Sequence, residues 1–218
     1  CNKNKIFLIE DSAQSLGSYN NKQHLGTFGD IGSFSFSVPK IITTGQGGAL
    51  ITDNDKLSDK LRKLKDFGRT SGGNDIHNSI GYNSKFTDLQ AVIGIEQIKK
   101  LNHRTKRKKE IYKFYQDNFK NIDAVEMIST DLDDVTPWFI DIFIPDPVNL
   151  QQYLKERNIG SRGIYPPIHS QRAYSKLNNL SFPVTENYCK RGLWLPSSSK
   201  LVDEELDFIC NTIKEYYV

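Results

Sequence analysis

A continuous apolar run, Ile6-Phe7-Leu8-Ile9, is closed at once by Glu10-Asp11. Such a run lacks the alternation of a strand with one wet face. It suits a parallel strand buried on both faces. The polar pair that ends it would stand at the carboxyl edge of an open α/β sheet, where such sheets receive ligands.

The rest of the chain supports an α/β reading. Its 218 residues suffice for one large domain or two small ones. A hydrophobic fraction of 37%, with 12 Phe, 10 Tyr and 2 Trp, supplies ample core material. The 29 basic and 26 acidic residues leave a net charge of +3, which gives no case for nucleic acid or membrane binding. The densest basic run, His103 to Lys109, reads as the solvated face of a helix. Cys1, Cys189 and Cys210 form neither a CxxC pair nor a zinc spacing, so no metal centre is expected. A sparse, odd count fits a reducing, cytoplasmic setting. No apolar run is long enough to span a bilayer.

Ser12 to Leu16 reads as a short helix ended by Gly17. Gly32 to Ser37 and Gly47 to Thr52 read as strands. A helix begins at Asp53, with Leu57, Leu61, Leu64 and Phe67 at helical spacing and Gly68 placed to end it. Thr70 to Asn78 is a polar loop. Thr87 and Gln90 have the form of a capping box, opening a helix with Ala91, Ile95, Ile98 and Leu101 as its apolar stripe. A second helix covers the basic run and continues through Phe119. Trp138 to Ile144 reads as a strand, Leu150 to Arg157 as a helix, and Ile159 to Tyr165 as a strand. Asp203 to Tyr217 reads as an amphipathic helix. The change in character puts a domain boundary near residue 120.

Within the first ninety residues lies a chemical layout. Asp11 ends a strand. A hydroxyl-rich strand bearing Ser35 and Ser37 leads to Lys40, followed by Thr43-Thr44-Gly45-Gln46-Gly47-Gly48. The glycines permit close backbone approach to a ligand. A partly buried lysine can lose its proton and act as a nucleophile. An acid facing a pyridine nitrogen is the partner that pyridoxal phosphate requires.

The stretch Ile9-Glu10-Asp11-Ser12-Ala13-Gln14-Ser15-Leu16-Gly17 resembles a signature of the DegT/DnrJ/EryC1/StrS aminotransferases. Gly26 to Phe36 resembles the next block, Pro39-Lys40 through Gly48 the lysine segment, and Gly81 to Ala91 a later block. Tyr165-Pro166-Pro167-Ile168-His169 and Leu195-Pro196-Ser197-Ser198 resemble C-terminal landmarks. The matches follow family order across the whole chain.

The resemblance implies a fold-type I pyridoxal 5'-phosphate enzyme. It would comprise part of a three-layer α/β/α large domain over residues 1–120 and a smaller α+β domain over 121–218. Lys40 would hold the cofactor covalently and shuttle the proton. Asp11 would pair with the pyridine nitrogen, Gln14 would lie against the ring, and Ser35 would bind the phosphate. Asn83 would reach the cofactor of the neighbouring subunit in a homodimer with shared active sites. Arg162 and His169 would border the sugar-nucleotide site. Lys40 also separates the chain from dehydratase relatives, which carry His there. Departures occur at Ser37, where His or Tyr is frequent, at Lys85 for Arg, and at Gln46 for Glu.

The expected reaction moves an amino group from glutamate onto a nucleotide-linked 4-keto-6-deoxy sugar for surface polysaccharide synthesis. The segments 138–144 and 159–174 most resemble the perosamine synthase branch, which takes a GDP-linked sugar. Family members also carry a phosphate-binding turn and a ring-stacking aromatic residue upstream of the Asp11 strand, and neither precedes Cys1. Apolar sheet surface is therefore expected to be exposed. The alternative expectation is a truncated, inactive chain serving as a structural or regulatory partner.

Overall fold

The computed structural model describes residues 1–73, 75–177 and 179–217. The chain forms two compact units, one of residues 1–106 and 131–138, the other of residues 107–130 and 139–218.

The first unit is built on a mixed sheet of β1 (Ile9–Asp11), β4 (Ile31–Ser35) and β5 (Gly48–Ile51), in the order β1-β4-β5. β1 and β4 are parallel, with Asp11 opposite Ser33. β5 returns antiparallel, with Gly48 opposite Ser35. A small hairpin of β2 (Tyr19–Asn20) and β3 (Gln23–His24) lies between β1 and β4 in sequence. Its two turn residues, Asn21 and Lys22, both have positive φ (49° and 68°), as a tight two-residue hairpin requires. Gly32 on β4 is a steric necessity: a Cβ there would stand 1.9 Å from the Gly26 carbonyl oxygen.

Of this unit's two helices, the first starts two residues later than the Asp53 expected and leaves Phe67 beyond its end, while the second starts where expected. α1 (Asp55–Lys65) is capped by Asn54, whose side chain accepts from the Lys56 and Leu57 amides. It ends through Phe67 and Gly68, both at positive φ, and the Gly68 amide donates to the Lys63 carbonyl at 2.8 Å. α2 (Asp88–Ile98) opens on the expected capping box of Thr87 and Gln90. The segment 131–138 is tied into the same unit: Thr136 Oγ1 donates to the Gly17 carbonyl at 2.7 Å, and the Tyr19 amide to that of Asp134 at 2.8 Å.

The second unit takes in most of α3 (Leu101–Phe119), then β6 (Asp141–Phe143), α4 (Pro147–Glu156), β7 (Arg162–Gly163), α5 (Pro183–Arg191), β8 (Gly192–Trp194) and α6 (Asp203–Tyr217). Its antiparallel sheet has the order β6-β8-β7. Ile111, Tyr115, Ile140, Ile142, Ile144, Leu150, Leu154, Leu193, Leu206 and Ile213 are fully buried and form its core. Each fully buried aliphatic chain contributes about 1.5–3 kcal/mol. The Tyr115 hydroxyl reaches the Pro196 carbonyl at 2.8 Å, and burial raises its pKa.

Several local expectations are corrected. Ser12 to Gly17 is not a helix but two consecutive turns, closed by Ser15 N to Ser12 O and Ser18 N to Ser15 O bonds. The strand expected over Trp138–Ile144 shortens to Asp141–Phe143, because Trp138 belongs to the first unit and Phe139 to the second. The strand over Ile159–Tyr165 shrinks to Arg162–Gly163, flanked by a turn at Asn158 with φ of 59°.

The basic run is not simply solvated. Arg104 donates to the Ile41 carbonyl (2.8 Å) and the Gln97 side chain (2.7 Å). Arg107 binds the Leu201 carbonyl and Asp203, and Lys108 the Ser197 hydroxyl. Each reaches a fixed acceptor because α3 packs its flank against chain of its own unit.

The apolar run meant to be buried is not. Strand pairing starts only at Ile9, and Ile6, Phe7 and Ile9 are 58%, 76% and 66% exposed. Among the described residues only β4 pairs with β1, which leaves the strand's other edge open. The stripe expected on α2 is likewise uncovered, with Ile95 at 58% and Ile98 at 60%, while Leu101 begins the next helix. The exposure of apolar sheet surface agrees with expectation.

No helix among the described residues is long and apolar enough to cross a membrane.

Candidate active site

The carboxyl end of the parallel pair β1/β4 gathers the first unit's reactive groups. Glu10 and Asp11 end β1 and divide the work. Glu10 is structural: its carboxylate accepts the Gly26 amide (2.8 Å) on one oxygen, and the Phe28 (2.7 Å) and Gly29 (2.6 Å) amides on the other. Burial alone would raise its pKa, but the three N–H donors outweigh that and hold it below the usual carboxylate range. Among the described residues Asp11 accepts only the Ala13 amide, at 3.1 Å, and it is exposed. The Ser12 amide donates to the Ser33 carbonyl at 2.9 Å, which locks the turn after Asp11 to β4.

Beyond Ser33 the strand alternates. Phe34 turns into the core, and Ser35 faces the other way. The Ser35 hydroxyl lies 3.2 Å from that of Ser37 and accepts the Ser37 amide. The Lys40 amide then closes a turn onto the Ser37 carbonyl at 3.1 Å. A loop returns through Thr43 and Thr44 to β5, pinned by Thr44 N to Phe36 O and Phe36 N to Gly47 O bonds. Gly45 has φ of 82°, and a Cβ there would meet open space. At Gly47, φ is 122° and a Cβ would lie 2.6 Å from the Phe86 ring. Glycine at both is a conformational requirement, and at Gly47 also a steric one.

Lys40 is half-buried. Burial pulls its pKa down, opposed by the negative charge of Asp11. The two residues therefore feel one another across the strand ends. The Lys40 Nζ stands 3.7 Å from the centroid of the Trp138 ring, whose Nε1 donates to the Pro39 carbonyl at 2.8 Å. Trp138 thus holds the lysine turn through one ring face and its indole N–H. Sequence reasoning missed this residue by treating it as the start of a strand.

The structure brings Asp11, Ser35 and Lys40 to this one edge. Gln14 is exposed on the turn that follows β1. Asn83 is placed elsewhere, in an isolated bridge opposite Asp66. There Asp66 pairs with Arg69 (2.6 Å) and Lys85 (3.1 Å). Lys85 therefore serves a carboxylate of its own unit.

In the second unit, Arg162 is exposed and lies over two aromatic rings, 5.1 Å from Tyr165 and 5.5 Å from Trp194. His169 is mostly covered. Its Nε2 lies 3.1 Å from Glu186, and its ring is tilted against Phe182. Glu186 also accepts the Phe182 amide at 2.9 Å, the first cause of its lowered pKa, with the His169 bond adding to it. Among the described residues no group of three or more His, Cys, Asp or Glu could hold a metal ion.

The order of the motifs along the chain matches a known profile. That of the DegT/DnrJ/EryC1/StrS aminotransferase family aligns with residues 1–214. The chain belongs to this family. Among its curated relatives are two proteins named GDP-perosamine synthase. The one from Vibrio cholerae is 31% identical over 100% of this chain and 61% of its own length. The one from Escherichia coli O157:H7 is 34% identical over 97% of this chain and 58% of its own length. The chain thus spans about three fifths of the curated relatives it matches. The family's α/β fold is shared in three dimensions. A DegT/DnrJ/EryC1/StrS aminotransferase from Brucella abortus superposes with a TM-score of 0.88 at 27% identity, covering 99% of this chain and 58% of that one.

Proposed function

We propose that this chain is the lysine-bearing part of a pyridoxal 5'-phosphate-dependent sugar aminotransferase. The observation that carries the reading is Lys40 held half-buried beside Asp11 at the carboxyl end of β1 and β4. The donor set suits that cofactor: an amine for its carbonyl, a carboxylate for its ring nitrogen, and the Ser35 and Ser37 hydroxyls for its phosphate. When bound, pyridoxal phosphate supplies a carbonyl that takes up amino groups and a ring that accepts electrons.

The residues of this chain set the conditions. Burial of Lys40 favours its neutral amine, the form able to attack a carbonyl or take up a proton at Nζ. The Asp11 carboxylate keeps a positive charge on a facing ring nitrogen favourable. Ser35 offers its hydroxyl to an anion, and Gln14 lies on the same turn to flank the ring. Asn83 projects from a segment outside the Lys40 cluster, in keeping with a role toward a second copy in a homodimer. Arg162 and His169 are assigned to the sugar nucleotide.

The substrate is read as a GDP-linked 4-keto-6-deoxy sugar, with glutamate as donor and surface polysaccharide as the destination, in the cytoplasm. Two relatives named GDP-perosamine synthase support this choice. A purely structural partner is not favoured, since Lys40 and Asp11 are both kept.

The test is direct. The protein is incubated with pyridoxal phosphate, reduced with borohydride, and peptide-mapped. The label is expected on Lys40 and absent from Lys40→Ala. A label on another lysine, or one that survives in Lys40→Ala, refutes the assignment. Amino transfer from glutamate is then compared on GDP-, thymidine- and uridine-linked keto-sugars.

A further inference from the structure

The β2/β3 hairpin carries a histidine whose two ring nitrogens face opposite kinds of partner. The Gly17 amide donates to His24 Nε2 at 2.9 Å, and His24 Nδ1 lies 2.5 Å from the Leu25 carbonyl oxygen. A backbone N–H can only donate, and a carbonyl can only accept. Nε2 must therefore be bare, and Nδ1 must carry the hydrogen. Only the neutral Nδ1–H imidazole satisfies both bonds. A second proton goes to Nε2, where it sets two N–H groups against each other and leaves the buried Gly17 amide without an acceptor.

Two rings hold the imidazole in place. The Tyr19 phenol of β2 stands edge-on to it, at 5.0 Å and 77°, and Phe34 of β4 lies tilted against it at 5.6 Å. The carboxylates of the surrounding elements are engaged elsewhere. Glu10 takes the Gly26, Phe28 and Gly29 amides, Asp11 the Ala13 amide, Asp30 the Leu8 amide and Asp134 the Asn21 amide. α3 approaches Gly17 through the uncharged Thr105, whose methyl would stand 2.5 Å from a Cβ on that glycine. Gly17 links the histidine to the lysine edge. It lies in the turns that follow Asp11 and carry Gln14, and its carbonyl accepts Thr136 Oγ1 at 2.7 Å. The Thr136 amide donates to Ser18 Oγ at 3.0 Å. Two residues on stands Trp138, whose ring lies against Lys40 Nζ.

We propose that His24 is a positioning residue for the Lys40 site and acts on it as a proton-sensitive latch. As the neutral imidazole it fixes Gly17, and Gly17 fixes Thr136 and so the placement of Trp138 against the lysine. Uptake of a second proton breaks the Gly17 bond and loosens Trp138. The site thereby gains a response to acid through a group that touches neither Lys40 nor Asp11. This rests on the Lys40 reading given above and extends it to regulation of that site.

The experiment uses the whole chain, labelled with nitrogen-15 and titrated with acid. The imidazole nitrogens report tautomer and protonation, and the Gly17 amide and Trp138 indole N–H report the two ends of the link. At neutral pH Nε2 is expected to be the bare nitrogen. The Gly17 and Trp138 signals should then move with the same midpoint as the His24 ring. His24→Gln keeps an oxygen that can accept the Gly17 amide but takes up no proton. It should hold the Trp138 signal at its neutral-pH position and abolish that step. His24→Phe fills the place between Tyr19 and Phe34 without an acceptor. It should displace the Trp138 signal at every pH and lower pyridoxal phosphate labelling of Lys40 several-fold, with labelling near wild type in His24→Gln. Circular dichroism checks folding, and if His24→Phe does not fold, wild type and His24→Gln decide. A hydrogen on Nε2 at neutral pH overturns the latch. So does a Trp138 signal that follows another midpoint, or one whose step persists in His24→Gln. A Trp138 signal that tracks His24 in a chain never labelled at Lys40 leaves the latch standing and removes the cofactor reading instead.

Discussion

Glu10→Gln isolates one carboxylate whose work can be counted. The Glu10 side chain is half-buried and accepts three backbone amides, two on one oxygen and one on the other. Glutamine keeps one carbonyl oxygen, which can still serve Phe28 and Gly29. Its amide group must then point donors at the Gly26 N–H, so one charge-assisted bond is lost and a donor–donor contact replaces it. A hydrogen bond to a charged group is worth about 1.5–3 kcal/mol, and partial exposure places this one near the lower half, about 2 kcal/mol. For a chain of this size that is a fall of roughly 4–8 °C in Tm at pH 7. The sign with pH follows from linkage. The folded pKa is held below the unfolded value of about 4.3, so the contribution is complete above about 4.3 and fades as pH falls through the folded value. Thermal unfolding of both proteins, followed by circular dichroism from pH 7 to pH 3, gives the difference directly. Equal Tm at pH 7, or a gap that stays constant down to pH 3, would refute the assignment of Glu10 as the clasp of the Gly26–Gly29 loop.

Two further outcomes follow from single residues. Thr87→Ala removes the capping box of α2 and should cost about 1 kcal/mol, seen as faster amide exchange in the first turn of that helix. Lys108 is buried, and desolvation lowers its pKa to about 8. An unfolded lysine titrates near roughly 10.4, so the cost of holding this cation exists at neutral pH and is relieved as pH rises through 8. Wild-type Tm should therefore climb between pH 7 and 9.5 relative to Lys108→Met. Parallel curves would show that Lys108 is not the group responsible.

Helices were the most legible elements, because their signals are local. Thr87 and Gln90 bond amides within three residues of themselves, so their pattern in sequence is already the contact in space. Strands were less legible. Trp138 to Ile144 looks like seven uninterrupted strand residues, yet only Asp141 to Phe143 find a partner on β8. Pairing is decided by the neighbour, and β8 itself spans only Gly192 to Trp194. The same holds for Ile159 to Tyr165, of which two residues pair. Periodicity reports which side chains could face a core, and it carries no information on how much partner strand exists.

The site divides along the same line. Asp11, Ser35 and Lys40 are separated by 24 and 5 residues, but each is delivered by a strand end or the turn after it, and the β1/β4 register alone brings them to one edge. That much follows from order and spacing. Trp138 was not legible, since its role arises from a residue about a hundred positions away, Pro39. The apolar residues that stayed uncovered make the complementary point. Phe7 and Leu89 are 76% and 80% exposed in a chain whose second unit buries Ile and Leu completely. A helix apolar on nearly every side, as α2 is with Leu89, Val92, Ile93, Ile95 and Ile98, is a form suited to interiors. At about 25 cal/mol per Å² of apolar surface, each such side chain forgoes roughly 1.5–3 kcal/mol while it faces water. The stability of the first unit should therefore rise with any contact that buries β1 and α2.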